Sequence, residues 1–236
     1  MKDKVIAIIT ARGGSKRIPK KNIKEFYGKP ILAYSIEAAL ESKVFDEVMV
    51  STDDNEIASI AKTYGAKVPF MRSNRTSDDY ATTVEVLLEV LEEYKKRGCT
   101  FDKMCCIYPT APFVTGEKLR NAMKLLDNPE IDSVMPVIPF SFPPMRGMYI
   151  KEGKLTYCNP DYVTVRSQDI ETMYHDCGQF YCAKVEIFMR EHRLVTDKTA
   201  AFVLPEREVQ DIDTMEDWKL AELKYKLFKE DISDGL

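Results

Sequence analysis

The sequence predicts an α/β fold in which a mostly parallel, Rossmann-like sheet is covered by helices on both faces. Short β-branched runs alternate along the chain with longer amphipathic runs. In the longer runs, apolar residues recur every three or four positions, which is typical of helices packed on a core. Strands that alternate with helices form right-handed crossover units and hence a parallel sheet. In such a sheet, ligands bind beyond the carboxyl ends of the strands.

The predicted elements follow one another without a long break over the first part of the chain. Val5–Thr10 is a continuous apolar run of strand length. Pro30 suits the first position of a helix because its φ is already fixed there, and Gly65 and Gly98 suit helix ends. The predicted strands are Val5–Thr10, Glu47–Ser51, Lys67–Phe70, Lys103–Tyr108 and Ser133–Ile138, and the predicted helices are Pro30–Glu41, Asp54–Tyr64, Thr82–Arg97 and Glu117–Leu126.

Residues 139–175 interrupt this alternation. Prolines punctuate the segment, and residues 149–157 favour a hairpin that turns at Glu152-Gly153. We expect a single domain over residues 1–236 that carries this segment as an insertion, either as a dimer arm or as an ordinary surface subdomain. The alternation resumes with strands at Gln179–Ala183 and Ala200–Leu204 and a helix from Thr214 to about Phe228, followed by a tail, Glu230–Leu236, that we expect to fray.

Composition and charge narrow the classes of function. The chain has 34 Lys and Arg against 38 Asp and Glu, a net charge of −4, which argues against general binding to nucleic acid or anionic membranes. No apolar run is long enough to predict a membrane span. The six cysteines show no CxxC pattern, which favours reduced thiols and a cytoplasmic location.

A cluster of cations directly follows the first predicted strand. Gly13 and Gly14 within it allow the backbone to approach an anion closely and turn N–H groups toward it. Neither the GxxxxGK[ST] nor the GxGxxG pattern is present, so this is not one of the common phosphate loops. We interpret the segment as a polyphosphate site; the alternatives are a solvated basic loop or a small nucleic-acid patch. The cations are Arg12, Lys16, Arg17, Lys20 and Lys21.

Two aspartates near the other end of the chain, Asp211 and Asp213, are spaced i, i+2. In extended backbone, alternate side chains share a face, and paired carboxylates suit Mg²⁺. For Asp213 the alternative is a helix N-cap, because Thr214-Met215-Glu216 looks like a capping-box start. A cationic loop combined with a carboxylate pair is suited to nucleotidyl or phosphoryl transfer.

The segment Ile8–Asn22 resembles the opening motif of the acylneuraminate cytidylyltransferases, the CMP-sialic acid synthetases. The resemblance covers residues 4 to about 228, and within the family it is most like the pseudaminic acid branch. Tyr108 stands where the sialic acid enzymes usually have Gln. The further segments that resemble the family or this branch are Val50–Asp54, Tyr64–Phe70, Pro109–Pro112, Tyr174–Gly178 and Glu208–Asp213.

This resemblance implies a nucleotide-diphospho-sugar transferase-like fold and the reaction of CTP with an acidic nine-carbon sugar to a CMP-sugar and pyrophosphate. It implies Mg²⁺ as cofactor, a homodimer in which the inserted segment crosses to the partner, and neither nucleic acid nor membrane as a partner. The implied CTP site comprises Arg12, Gly13, Gly14, Ser15, Lys16, Lys21, Asn22, Arg72, Ala81 and Thr83. The expected sugar site comprises Tyr108, Arg166, His175, Gln179 and Tyr181; Asp211 and Asp213 are the implied metal ligands, and Arg12, Lys21 and Asp211 the catalytic residues.

Other interpretations stay open at this point. The sugar is alternatively N-acetylneuraminate or 3-deoxy-manno-octulosonate, and from another class of function the chain is a nucleotide-binding regulatory protein without turnover. Retention of Asp211 and Asp213 beside the cation loop argues against the regulator. No protein base is required, because a metal lowers the pKa of a hydroxyl bound to it. For His175 we expect a packed or sugar-contacting role before that of a base.

Overall fold

A computed structural model describes residues 2–233 of the chain, with side chains described for residues 2–230. None of the helices in this part combines the length and apolar character needed to cross a bilayer. The strands are β1 (Val5–Thr10), β2 (Glu25–Phe26), β3 (Lys29–Pro30), β4 (Glu47–Ser51), β5 (Lys103–Ile107), β6 (Ser133–Pro139), β7 (Met148–Lys151), β8 (Lys154–Tyr157), β9 (Tyr174–Asp176), β10 (Phe180–Lys184) and β11 (Thr199–Val203). The helices are α1 (Ile31–Ser42), α2 (Asn55–Thr63), α3 (Thr83–Lys96), α4 (Gly116–Leu125), α5 (Val185–Glu191) and α6 (Met215–Ser233).

A central sheet organises the described part of the chain. Its seven strands there have the order β11-β6-β10-β5-β1-β4, with β9 paired to β6. β1 runs parallel to both of its neighbours, β4 and β5, and β11 runs parallel to β6. Helices α1, α2 and α4 pack on one face, and α3 and α5 pack on the other. The predicted mostly parallel sheet with helices on both faces is therefore confirmed.

The two faces of β1 explain its unbroken apolar sequence. Ala7 and Ile9 point into the core beneath α1, where they pack with Leu32. Ile6 and Ile8 point to the opposite core, where they meet residues of α3 such as Leu87. A strand that is buried on both faces is apolar at every position rather than at alternate ones.

β10 departs from the predicted alternation because it runs antiparallel to both β5 and β6. The chain leaves the sheet at the end of β6 and re-enters from the same edge through β9, which is antiparallel to β6. A parallel return would need a crossover, usually a helix, and residues 140–173, all of which are described, contain no α-helix. The strand after the insertion is therefore reversed.

Some predicted boundaries differ from the structure. The strand expected at Lys67–Phe70 is wrong: Lys67 forms a single bridge to Met49 of β4, and pairing stops because Pro69 has no N–H to donate. Helix α5 was not predicted. Helix α6 begins at Met215 and continues through Ser233, past the predicted end near Phe228. Of the tail that we expected to fray, residues 230–233 are helical and residues 234–236 lie outside the described residues.

The insertion carries the predicted hairpin. β7 and β8 pair antiparallel, and the turn residues Glu152 and Gly153 both have positive φ, 51° and 75°, as a two-residue hairpin turn requires. Large apolar side chains of this hairpin face solvent; Ile150 is 77% exposed and Leu155 is 67% exposed. The last residues of the predicted insertion, Tyr174 and His175, belong to β9 in the central sheet.

The C-terminal helix returns to the loop that follows β1. Trp218 of α6 is buried with Ile18 and Phe26 from the N-terminal part of the chain. The rings of Trp218 and Phe26 meet edge to face with their centroids 5.6 Å apart, a favourable geometry for aromatic pairs. This packing brings the segment before α6, which contains both aspartates, next to the cation loop.

A buried carboxylate on α3 holds the segment that follows Arg72. Glu89 accepts hydrogen bonds from the Ser73 amide at 2.8 Å, the Ser73 hydroxyl at 2.5 Å and the Thr76 hydroxyl at 2.8 Å. Burial acts to raise the pKa of Glu89, but these hydrogen bonds and the charge of Arg75 outweigh burial, so the pKa is lowered. Ionised Glu89 therefore stabilises the folded chain above the usual carboxyl pKa, and this contribution disappears as the pH falls through the lowered value.

Replacing Glu89 by Gln is expected to reduce the free energy of unfolding by about 1–3 kcal/mol at pH 7, because the new amide nitrogen faces hydrogen-bond donors. In urea denaturation, the difference from wild type should shrink as the pH falls below about 4.5 and wild-type Glu89 becomes protonated. Glu92→Gln, an exposed position on the same helix, is the matched control and should change stability by less than about 0.5 kcal/mol. A deficit as large at pH 3 as at pH 7 would contradict this account of Glu89.

Candidate active site

A cavity of about 590 Å³ opens at the carboxyl ends of β1 and β5. Thr10 ends β1 and Tyr108 follows β5, and both side chains line the cavity. This is the edge of the sheet where ligands of α/β proteins bind. Eight of the ten residues expected to bind CTP line it, namely Arg12, Ser15, Lys16, Lys21, Asn22, Arg72, Ala81 and Thr83.

The two remaining residues of that set, Gly13 and Gly14, are not among the described residues that line the cavity. The Gly13 amide donates a hydrogen bond to Asp53 Oδ1 at 2.9 Å. A Cβ atom at Gly13 would lie 2.9 Å from Asp54 Oδ2, closer than real Cβ atoms come. Glycine is therefore needed at position 13 because the loop after β4 packs against it, a different reason from the anion contact that we expected.

Acidic groups of the same chain hold two cations of the cavity. Arg12 Nη1 donates to Asp79 Oδ1 at 2.8 Å and to the Asp78 carbonyl at 2.8 Å. Lys16 also pairs with the Asp79 carboxylate. Hydrogen bonds from Lys16 and Arg12 lower the pKa of Asp79, so its carboxylate is ionised at neutral pH.

Arg72 supplies a buried positive charge in the wall of the cavity. Its Nε donates to the Ser51 hydroxyl at 3.0 Å and its Nη2 to the Ser51 carbonyl at 2.6 Å, which fixes the guanidinium against the end of β4. Burial lowers the pKa of Arg72 to about 10, although the charges of Asp53 and Glu89 oppose this shift. The side chain therefore stays cationic at neutral pH and suits recognition of an electron-rich or anionic group.

Lys21 joins the cation loop to the segment before α6. Its Nζ donates to the Ile212 carbonyl at 2.6 Å and lies 3.6 Å from Asp213 Oδ1. Arg17 lies 2.7 Å from the same Asp213 oxygen, and Asp213 lines the cavity. The structure thus brings together the two segments whose combination pointed to nucleotidyl transfer.

Asp213 is not the N-cap of α6, so that alternative is wrong. Thr214 has this position: its hydroxyl accepts a hydrogen bond from the Asp217 amide at 3.2 Å, and the Asp217 carboxylate accepts one from the Thr214 amide at 2.7 Å. This reciprocal pair is a capping box that begins one residue later than the alternative required. The Asp213 carboxylate is left to face the cations of the loop.

A second cavity, of about 520 Å³, shares Tyr108 with the first. Asp211, His175 and Tyr181 line it, so three of the five residues expected at the sugar site lie there: Tyr108, His175 and Tyr181. The Tyr108 hydroxyl lies 3.3 Å from the Thr83 hydroxyl, and burial raises the pKa of Tyr108. Tyr108 is therefore a neutral hydrogen-bonding group at the boundary between the two cavities.

His175 and Tyr181 are both held by Asp176 of β9. His175 Nδ1 lies 2.8 Å from the Asp176 carbonyl, which can only accept, so Nδ1 carries a proton; in the neutral form of the imidazole, Nε2 is then the acceptor. The Tyr181 hydroxyl donates to the Asp176 carboxylate, and burial together with this hydrogen bond raises the pKa of Tyr181. Tyr181 lines the cavity, whereas its neighbour Phe180 packs in the core on the other face of the strand.

Two residues expected at the sugar site lie elsewhere. Arg166 is exposed in the insertion, pairs with Asp169 at 2.8 Å, and is not among the described lining residues of either cavity. Gln179 is buried, and its amide donates to the Glu208 carbonyl at 2.7 Å. The backbone carbonyl of Gln179 accepts a hydrogen bond from the backbone amide of Tyr108 at 2.9 Å, so Gln179 positions Tyr108 instead of lining the cavity.

The aspartate pair fits a hard divalent cation. Partial burial raises the pKa of Asp211, and the neighbouring charge of Asp213 raises it further. A divalent cation held by Asp211 and Asp213 would relieve this repulsion, and carboxylate, water and phosphate oxygens are the ligands that Mg²⁺ prefers. Asp211 lines the second cavity and Asp213 the first, so the pair stands between them.

Several lining residues were not predicted. Asp79 is the most consequential because its charge opposes that of the loop. Its position in a polar stretch between Arg72 and the Thr82 helix cap was the available signal, but nothing in the sequence shows that this stretch reaches Arg12. The other unpredicted residues of the first cavity are Thr10, Tyr80, Val86, Pro109 and Thr110, and Lys224 is the unpredicted cation of the second.

Comparisons with known proteins identify the family of the chain. A family model described as Cytidylyltransferase matches residues 6–192. The chain is 40% identical over 225 residues to a pseudaminic acid cytidylyltransferase of Campylobacter jejuni, covering 95% of this chain and 97% of that protein. It is 31% identical over 239 residues to a CMP-N,N'-diacetyllegionaminic acid synthase of Legionella pneumophila, covering 96% and 98%.

The fold comparison points the same way. A solved structure of CMP:2-keto-3-deoxy-manno-octonic acid synthetase complexed with CTP aligns with a TM-score of 0.69 and 18% identity, covering 96% of this chain and 99% of that one. This likeness confirms the predicted nucleotide-diphospho-sugar transferase-like fold. With a family model that spans most of the chain and relatives that align over nearly all of it, the chain belongs to the cytidylyltransferase family.

Proposed function

We propose that this enzyme transfers the cytidylyl group of CTP to the anomeric hydroxyl of pseudaminic acid, forming the CMP-sugar and pyrophosphate. The observation that carries the proposal is the pair of cavities that meet at Tyr108, one lined by the cation loop and the other by Asp211 and His175. The name of the Campylobacter jejuni relative, with 40% identity over nearly the whole chain, supports pseudaminic acid as the sugar.

In the first cavity, the triphosphate of CTP would lie against Arg12, Lys16 and Lys21. Preorganised cations of this kind stabilise negative charge that develops on the departing pyrophosphate, since they need no reorganisation during the reaction. Arg72, fixed against β4 by Ser51, is placed to recognise the cytosine carbonyl. Ser15, Asn22, Ala81 and Thr83 complete the proposed nucleotide site, with Gly13 and Gly14 shaping the loop.

In the second cavity, the sugar carboxylate needs a cation, and Lys224 is the one lysine or arginine among the described lining residues. Its Nζ donates to the Val209 carbonyl at 2.8 Å and to the Glu206 carbonyl at 3.4 Å, which leaves the third proton of the ammonium for a ligand. The neutral hydroxyls of Tyr108 and Tyr181 and the acceptor Nε2 of His175 suit the hydroxyl and amide groups of the sugar.

In the reaction, the C2 hydroxyl oxygen of the sugar attacks the α-phosphorus of CTP, a new P–O bond forms, and the bond to pyrophosphate breaks. The hydroxyl gives up its proton to one of the acceptors that line the sugar cavity, which are His175 and the carboxylates of Asp176, Glu206 and Asp211. Arg12 and Lys21 orient the triphosphate so that pyrophosphate departs in line with the attack. Mg²⁺ held by Asp211 and Asp213 would supply neutralisation of the triphosphate and a lowered hydroxyl pKa.

We also propose that the enzyme is a homodimer in the cytoplasm. The insertion supports the dimer, because the exposed apolar residues Ile150 and Leu155 are paired across the hairpin and form a surface of the kind that pairs with another chain. Arg166 lies on this same segment, away from both cavities of its own subunit. All six cysteines lie among the described residues and are free, in keeping with a reducing compartment.

A substrate panel tests the proposed reaction. With CTP and Mg²⁺, pyrophosphate release should occur with pseudaminic acid and be at least about tenfold slower with legionaminic, N-acetylneuraminic or 3-deoxy-manno-octulosonic acid, a factor worth about 1.4 kcal/mol. Mass spectrometry of the products should show the matching CMP-sugar. Turnover with one of the other sugars instead would reassign the substrate, and CTP binding without turnover on any sugar would favour a regulatory protein.

Asp211→Asn is expected to lose about 10²–10³ in kcat, the usual loss for a preorganised charge contact. Because the raised pKa means that ionised Asp211 opposes folding, the same change should leave the thermal midpoint in EDTA unchanged or raise it. Lys21→Ala should lose activity to a similar degree.

Asp197→Asn, at an exposed turn, is the control for Asp211→Asn and should keep both activity and midpoint. Wild-type turnover by folded Asp211→Asn would reject the role given to this carboxylate.

A further inference from the structure

The cavity proposed for the triphosphate already contains an acid that competes for its cations. Asp79 accepts a hydrogen bond from Arg12 at 2.8 Å and pairs with Lys16. All three side chains line the same cavity. Carboxylate and phosphate oxygens bind guanidinium and ammonium groups in the same way, so Asp79 and a triphosphate cannot both make full use of these two cations.

We propose that Asp79 is a displaceable internal anion. It holds Arg12 and Lys16 in the free enzyme, gives them up to the triphosphate and takes them back as pyrophosphate leaves. This inference rests on the proposed CTP site and goes beyond it, because Asp79 weakens the binding of the most highly charged ligands and so favours release of the pyrophosphate product.

The turn around Asp79 allows its side chain to leave while the site stays in place. Asp78, not Asp79, holds the turn: its Oδ1 accepts hydrogen bonds from the amides of Tyr80 at 3.0 Å and Ala81 at 2.7 Å. Arg12 keeps a second acceptor, the Asp78 carbonyl at 2.8 Å. A rotation of the Asp79 side chain therefore removes one carboxylate from the cavity, while Arg12 and Ala81 remain positioned.

The ion pairs of Asp79 with Arg12 and Lys16 are weak enough for a triphosphate to replace the carboxylate. The side chains of Arg12 and Asp79 are each 37% exposed, and that of Lys16 is 80% exposed. Ion pairs in contact with solvent are weak, whereas a triphosphate offers several charged acceptors at once. Because Coulomb energy scales with ligand charge, Asp79 opposes CTP and pyrophosphate more strongly than CMP.

Calorimetric titration of the full chain in magnesium buffer, without sugar, tests this role. Asp79→Asn should bind CTP and inorganic pyrophosphate about three- to tenfold more tightly than wild type, and CMP less than about twofold more tightly. Asp79→Ala should show the same gain, and since alanine adds no donor to the cavity, agreement of the two variants excludes a new amide contact as the cause.

Glu56→Gln is the matched control. Glu56 pairs with Lys20 of the same cation loop at 2.5 Å, and neither residue is among the described residues that line the cavity. This variant should bind all three ligands as wild type does. An equal gain in Glu56→Gln would mean that net charge alone is responsible and would overturn the proposal.

Other outcomes also separate the two proposals. Unchanged or weaker binding of CTP and pyrophosphate by the Asp79 variants, or a gain in Asp79→Asn alone, would overturn the role of Asp79 and leave the proposed function standing. A wild-type chain that binds neither CTP nor pyrophosphate would overturn both.

Discussion

The site depends on one contact between the two ends of the chain, the hydrogen bond from Lys21 to the Ile212 carbonyl, 191 residues away. A partly buried ammonium group needs such an acceptor, because desolvation without a partner is costly. Next to it, Ile212 packs with Ile18 and Trp218 in a buried cluster. This apolar packing fixes the aspartates against the cation loop, so neither the loop nor the aspartates could form the site alone.

Cations cluster on one side of this contact and aspartates on the other. Repulsion between like charges within each cluster opposes folding of the site. Carboxylates of the same chain neutralise these cations: Asp79 forms ion pairs with Arg12 and Lys16, and Asp213 forms one with Arg17. Burial and the charge of Asp213 raise the pKa of Asp211, so the ionised form of this carboxylate is disfavoured in the folded chain. Functional sites commonly retain unfavourable electrostatic interactions. Here the repulsion between like charges lies where a bound metal and triphosphate would relieve it.

The sequence predicted the sheet, most of its helices and the cations of the first cavity because these depend on local pattern, whereas Arg72, Ala81 and Thr83 were predicted only by the resemblance to the family. β1 is apolar at every position and the cations follow it directly, so both the strand and its functional loop could be recognised. The reversal of β10 and the position of Asp79 depend instead on how distant segments meet, which periodicity does not record. Arg166 shows the limit of resemblance, since a matching position in the sequence did not place its side chain at either cavity.

Tyr108 shows how the sheet itself sets the boundary between the two cavities. Its amide is tied to the Gln179 carbonyl, its ring lies 5.6 Å from that of Tyr181 between centroids, and its hydroxyl reaches Thr83. Tyr181 lies on β10, Gln179 directly precedes that strand, and Thr83 is the first residue of α3, so the ring is fixed by rigid elements. A side chain held in this way keeps its place whichever cavity is filled. The boundary between the two cavities is therefore determined by the sheet and by α3.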